Sequence, residues 1–261
     1  MCLAIVALAA HPRYPLVVAA NRDEFHARAA LPAHWGERPP YAGMLAGRDA
    51  VAGGTWMGVR RDGRWALVTN VRDGRRNDSE APSRGELVPA VLNAVSTPAL
   101  AMAALERDAD PYNGFNLLAG DLHSATWMSN RTPAARPLAQ GIHGLSNARL
   151  DTPWPKLART KAAVSAWVSR GDDDLAPLFA ALADRTRAPD EDLPATGVPV
   201  EWERLLSAPY IVSDDYGTRC STVLIFSHDG EARFVERSFD ARGNATGDVE
   251  FAFEIRCEQD S

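Results

Sequence analysis

An α+β fold, with antiparallel sheets and helices packed on their outside, is predicted for this 261-residue chain by three observations. Short β-rich runs stand in blocks at the start, middle and end of the sequence. Two blocks of helical spacing, each opened by a capping signal, separate them. Asp-Gly pairs join neighbouring strands, which favours tight hairpins over the long crossovers of a parallel sheet.

The runs Cys2 to Ala9 and Leu16 to Ala20 flank His11-Pro12-Arg13-Tyr14-Pro15, whose two prolines favour a turn, so the chain opens on a hairpin. The Pro-, Gly- and Ala-rich stretch Ala27 to Gly43 reads as a long surface loop, of the kind that often serves as a lid. Thr55 to Val59 and Trp65 to Asn70 enclose Asp62-Gly63 and form a second hairpin. Ser83 and Glu86 have capping-box spacing ahead of Leu87, Val91, Leu92 and Val95, and Thr97-Pro98 opens a second helix over Leu100 to Leu105. Strands return at Phe115 to Gly120, Ala125 to Met128 and Ile142 to Ser146. Thr152-Pro153 then repeats the cap signal before Leu157, Val164 and Trp167, starting a second helix pair that runs to about Arg185. Arg187 to Glu201 is a Pro- and Asp-rich connection, after which Tyr210 to Val212, Thr222 to Phe226, Ala232 to Arg237 and Val249 to Ile255 are strands, with Asp229-Gly230 as a hairpin turn.

With 46% hydrophobic residues the chain can bury one sizeable core, and residues 1–261 are expected to form a single domain. A net charge of −6 offers no basic face for phosphates, so nucleic acid is not an expected partner. The patch Arg72 to Arg76, with Arg84 nearby, could meet an anionic ligand, although such runs are more often solvated loop charge. The apolar stretch Leu3 to Ala10 is too short to span a bilayer, and no cationic start precedes it, so the expected location is cytoplasmic, without a membrane span. Cys2, Cys220 and Cys257 are an odd set without metal-site spacing; no metal is expected.

Chemistry concentrates at the first hairpin. Removal of Met1 would expose an α-amine on Cys2, and an α-amine titrating near pH ~7.7–8 can act as base for its own side chain. From position alone, a small buried side chain on a strand is the favoured reading of Cys2. The second strand ends in Asn21-Arg22-Asp23-Glu24, and antiparallel pairing brings the end of that strand to the start of the first. A guanidinium at Arg22 would favour the thiolate, and a carboxylate at Asp23 would orient the amine. Asn70 and Asn147 end core strands and are candidate oxyanion donors, although asparagines there also form turns. Arg219 precedes an apolar strand and is a candidate for a fixed positive charge at the same cavity, or for a plain surface ion pair.

Met1-Cys2, Asn21-Arg22-Asp23-Glu24-Phe25, Gly53-Gly54-Thr55-Trp56, Ser83-Arg84-Gly85-Glu86-Leu87, Tyr112-Asn113-Gly114-Phe115-Asn116-Leu117, Gly144-Leu145-Ser146-Asn147 and Thr152-Pro153-Trp154 occur in this order. Together they resemble the NRDE family, the relatives of transport and Golgi organisation protein 2, from residue 2 to about residue 225. That family in turn resembles the N-terminal-nucleophile (Ntn) hydrolases that cleave bile-salt and penicillin V amides. The resemblance implies a four-layer αββα sandwich with Cys2 as nucleophile, Arg22 and Asp23 as the pair beside it, Asn70 and Asn147 at the oxyanion and Arg219 as the late arginine. It adds Asn21, Glu24, Thr55 and Trp56 as binding candidates. Arg22 and Asp23 are adjacent here, whereas the amidase pattern separates the pair by two residues, so Glu24 shares their candidacy.

Two functions compete. One is hydrolysis of a C–N amide or related acyl bond of a small molecule, with no cofactor. The other, which the resemblance implies through animal relatives associated with haem mobilisation, lipid homeostasis and secretory organisation, is a non-catalytic haem or lipid carrier. None of the six histidines sits in a diagnostic haem motif. A third class, an interaction module, would expose its tryptophans, and the seven here are spread through predicted elements.

Overall fold

The computed structural model describes residues 2–75, 77–132 and 134–256; Met1, Arg76 and Cys257, named above, lie outside them. The opening hairpin is present as β1 (Cys2–Leu8) and β2 (Leu16–Phe25). It is followed by β3 (Ala30–Trp35), β4 (Met44–Asp49) and the Asp-Gly hairpin of β5 (Met57–Arg60) and β6 (Trp65–Asn70). Gly63 in that turn has φ 83°, a conformation that favours glycine.

Ser83 and Thr97 both cap as expected: Gly85 N–H donates to Ser83 Oγ over 3.3 Å, and Leu100 N–H to Thr97 Oγ1 over 3.4 Å. They introduce α1 (Leu87–Leu92), reached through a 3₁₀ turn, and α2 (Pro98–Leu105). The middle strands are β7 (Phe115–Gly120), β8 (Ala125–Ser129), β9 (Arg136–Pro137) and β10 (Gly141–Leu145). Next come α3 (Pro155–Arg170), α4 (Ala176–Leu182) and α5 (Val200–Leu205), and then β11 (Tyr216–Phe226), β12 (Glu231–Phe239) and β13 (Ala245–Glu254).

Among the described residues the strands form a six-stranded sheet, ordered β10-β1-β2-β11-β12-β13, and a seven-stranded sheet running β3 to β9 in chain order. All their pairings are antiparallel. Strand alternation assigns the layers. Ala4, Val6 and Leu8 of β1 pack with Trp65, Leu67 and Leu118 between the sheets, while Ile5 and Ala7 pack with Val164, Trp167 and Leu178 of α3 and α4. On the far side, Val88, Leu92 and Met102 of α1 and α2 cover Ala66 and Leu117. The order is therefore helices, sheet, sheet, helices: the expected αββα sandwich.

Trp167 anchors one outer layer. It is fully buried, donates from Nε1 to the Asp174 carbonyl over 2.7 Å and stacks on His11 with ring centroids 4.8 Å apart. Trp167→Ala is expected to cost about 3–5 kcal/mol, read from the urea midpoint at an unchanged slope; a loss below about 1 kcal/mol would mean that the helix layer is not packed this way.

Four sequence expectations are corrected. Ala27 to Gly43 is not all loop: β3 lies within it as an edge strand, which tolerates Pro32, and Ala33 N–H donates to Glu236 Oε1 of β12 over 2.8 Å. The third helix starts at Pro155 after Trp154, so Thr152 is not its cap, and the pair of helices ends at Leu182. Tyr210 to Val212 forms only an isolated bridge, Val212 to Gly217. α5 stands where no helix was expected, since six residues are too few to show a period.

Candidate active site

Cys2, the first residue of β1, is paired with Arg22 of β2, and Arg22 is paired on its other side with Cys220 of β11. Directly opposed residues share a face, so all three point toward the second sheet. Arg22 is 5% exposed. Its guanidinium lies 4.5 Å from the centre of the Trp56 ring and 3.9 Å from Asp49, whose carboxylate also accepts from Arg28 Nε at 2.6 Å. Arg22 Nη1 is buried without a hydrogen-bond partner among the described residues.

What it faces is a cavity of about 320 Å³ whose walls include Cys2, Arg22, Asp23, Glu24, Thr55, Trp56, Asn70 and Arg84. Thr55 Oγ1 donates to the Met57 carbonyl over 3.0 Å, fixing the bend that presents Trp56 under Arg22. Glu24 accepts from the Phe25 N–H over 2.9 Å and stands 4.0 Å from Arg28 at the rim. Burial pushes the Cys2 thiol above its ordinary range, the charge of Asp23 adds to this, and Arg22 pulls it back. A protonated resting thiol needs a base before it can attack.

Adjacent residues of a strand point to opposite faces, which explains how Arg22 and Asp23 can be neighbours and still divide the work. Asp23 is 1% exposed and accepts from Thr218 Oγ1 of β11 over 2.7 Å. Burial pushes its carboxyl up, and the charge of Lys156 is the strongest influence pulling it back.

Three sequence candidates do not reach this cavity. Asn21 is held by structure: its Nδ2 donates to the Leu182 and Pro209 carbonyls over 2.8 and 2.9 Å, and its Oδ1 accepts from Ser221 over 2.6 Å, so no group is left for binding. Asn147 is fully buried and donates to the Asn70 carbonyl over 2.9 Å; it positions Asn70 rather than an oxyanion. Arg219 sits at the bulge of β11, donates to the Phe25 and His26 carbonyls over 3.3 and 3.0 Å, and lines a separate cavity of about 190 Å³ behind Arg22 and Trp56.

Arg72 is not the solvated loop charge that the sequence led us to expect, because burial beside a carboxylate takes it out of water, and Glu203 and Lys156 went unseen in the sequence. Arg72 and Glu203 form an ion pair at 3.0 Å with side chains 4% and 5% exposed, and Arg72 lies 4.5 Å from the centre of the Trp154 ring. Lys156 is 1% exposed with no hydrogen-bond partner on Nζ among the described residues, and burial lowers its pKa to about 8. One signal was available: a lysine in the first turn of a helix opposes the helix dipole and needs another reason to be there. The ion pair had no such signal, because Arg72 and Glu203 are far apart in the chain.

A second cavity of about 350 Å³ shares Glu24, Arg28, Asn70 and Arg84 with the first. Its aromatic wall is Phe25, Trp202 and Tyr216, with Phe25 and Trp202 ring centroids 5.1 and 5.6 Å from that of Tyr216. Haem fits these residues poorly. No histidine lines either cavity, and the axial candidates that do, Cys2 and Tyr216, are both driven toward their protonated forms by burial. Among the described residues no group of three or more His, Cys, Asp or Glu is placed to hold a metal ion, and no helix is long and apolar enough to cross a membrane.

The fold is shared with Ntn hydrolases. The Caenorhabditis elegans ortholog of N-acylethanolamine-hydrolyzing acid amidase superposes with a TM-score of 0.53 at 14% identity, covering 86% of this chain and 92% of its own. The C2A mutant of conjugated bile acid hydrolase from Clostridium perfringens gives 0.51 at 9% identity, covering 99% and 94%. In sequence, the bovine Transport and Golgi organization protein 2 homolog is 36% identical over 244 residues, 86% of this chain and 87% of the relative. The human homolog is 33% identical over 242 residues with the same coverage, 86% and 87%. Residues 1–241 match the family Transport and Golgi organisation 2, and with relatives this similar over most of their length, the chain belongs to that family.

Proposed function

We propose that the protein is an Ntn-type hydrolase in which Cys2 cleaves a C–N amide, or a related acyl bond, of a small molecule. The observation that carries this reading is the register of Cys2 with Arg22 at the wall of a cavity that both residues line. With Met1 removed, the α-amine of Cys2 takes the thiol proton and Sγ attacks the carbonyl carbon. The oxyanion that forms is met by Arg22, with Asn70 on the facing wall. The amine passes the proton to the leaving nitrogen, and water then cleaves the thioester, giving acid and amine. Asp23 holds the α-amine in place from the other face of the strand. The thiol chemistry also favours a reducing compartment, and we propose the cytoplasm.

The wild-type chain tests this directly by intact mass before and after treatment with iodoacetamide, with peptide mapping of the modified site. Loss of Met1 with selective modification of Cys2 is the expected result. Retained Met1 with an inert Cys2 would sink the catalytic account. A second reading, binding and transport without turnover, draws on the aromatic wall of the adjoining cavity, which suits an apolar lipid chain better than haem. It predicts saturable lipid binding that tolerates the loss of the Cys2 thiol.

A further inference from the structure

The reaction above makes no use of Arg219, whose position is set by the bulge in β11. Thr218 pairs with Asp23 and Cys220 with Arg22, so Arg219 is the extra residue between two paired positions. A bulge sets two residues of one strand against one of its partner and re-aims the inserted side chain. Here it brings Arg219 to the same cavity as Arg22, about 190 Å³ in volume, with Trp56 in the wall shared with the candidate active site. Leu31, which is 52% exposed, and the exposed Thr246 also line this cavity, so it opens to solvent beside β3 and β13.

Two arginines at one small cavity repel each other unless negative charge stands between them. Burial and the like charge of Arg22 both push Arg219 below its ordinary range. The neighbouring carboxylates are committed elsewhere. Asp49 stands 3.9 Å from Arg22 but accepts from Arg28 Nε at 2.6 Å. Glu236 lines the cavity yet is 1% exposed; it accepts from the Ala33 N–H over 2.8 Å and from Thr222 Oγ1 over 3.2 Å, and burial pushes its carboxyl up, toward the neutral form. Glu24 favours the charge of Arg219 from beyond ion-pair distance. What Arg219 holds at close range is neutral: its Nη1 donates to the Phe25 and His26 carbonyls over 3.3 and 3.0 Å. Ser238, directly opposite Cys220 on β12, adds a hydroxyl to the cavity wall.

We propose that this second cavity is a binding site for a small oxyanion, a carboxylate or a phosphate, held by Arg219 together with Arg22 and the Ser238 hydroxyl. The donor set selects the ligand. A guanidinium fork presents parallel N–H groups to paired oxygens, a hydroxyl adds a further donor, and a negative charge relieves the repulsion between the two arginines. Because Arg22 and Trp56 line both cavities, an anion in the second bears on the charge beside Cys2 in the first. The site itself does not require that Cys2 turns over any substrate.

Isothermal titration calorimetry of the whole protein with inorganic phosphate and, separately, with acetate, at constant ionic strength, tests this. Saturable binding of one anion per chain is expected for at least one of the two, and the pair of titrations tells a phosphate site from a carboxylate site. R219M is expected to weaken binding by about tenfold or more, the loss of one charge-assisted contact. R219K, which keeps the charge without the fork, should fall between R219M and the wild type. S238L keeps both guanidinium groups but fills the cavity, and is expected to abolish binding. R84M changes an arginine that lines the two other cavities and not this one, and should bind as the wild type does. No saturable binding of either anion by the wild type overturns the proposal. So does binding that is lost in R84M and kept in R219M, which would put the anion at the candidate active site. Should R219M fail to fold, S238L and R219K carry the test: undiminished binding in either overturns the proposal.

Discussion

Cys2→Ala is expected to remove covalent modification by iodoacetamide completely and to reduce any acyl-hydrolase activity to background, while the melting temperature stays within a few degrees of wild type. The effect is large because one side chain carries the bond-forming atom. The fold should tolerate the change, because Cys2 is only partly buried at the open end of β1 and the strand is held by seven paired positions with β2. Arg22→Met separates nucleophile from setting. Arg22 favours the thiolate against the burial that opposes it, so its loss is expected to slow alkylation of Cys2 at neutral pH by about tenfold, with the pH dependence displaced upward. Modification that persists at Cys220 or elsewhere in the Cys2→Ala protein would show that the probe had not been reporting on this site.

Glu203→Ala is expected to lose about 3–5 kcal/mol of stability, because it removes the carboxylate paired with a buried guanidinium. Glu203 accepts from the Thr196 N–H and hydroxyl over 3.0 and 2.6 Å while pairing with Arg72 at 3.0 Å, so it ties the connection before α5 to the segment that follows β6. Glu203→Gln keeps the hydrogen bonds and should cost less. Paired replacement of Arg72 and Glu203 by Met and Leu should recover much of the loss, which urea unfolding would show as a coupling between the two positions. An additive double variant would mean that the pair is not a unit.

The sequence carried far into this molecule wherever the physics is local. Period-2 runs, Asp-Gly turns and the Ser83 and Thr97 caps placed most of the elements, since each depends on residues within a few positions of one another. The hairpin logic that brought Cys2 to Arg22 was local too, and the structure pairs those two residues directly. Composition alone misled at residues 27–43, where pairing with β4 and the carboxylate of Glu236 make an edge strand from residues that read as loop.

The roles of the asparagines and late arginine could not be read this way. Asn70 and Asn147 stand in similar phrases at strand ends, yet one lines the cavity and the other is consumed in holding it, because the direction of a side chain is settled by what packs against the strand. A β-bulge turned Arg219 toward the far side of Arg22. Sequence by itself determined most of the strands and turns, the starts of the first two helices and the approach of Cys2 to residues 21–24, all from contacts short in chain distance. Only the tertiary structure decided which charges meet: Glu203 reaches Arg72 across a long stretch of chain, since a buried charge selects its partner by proximity in space.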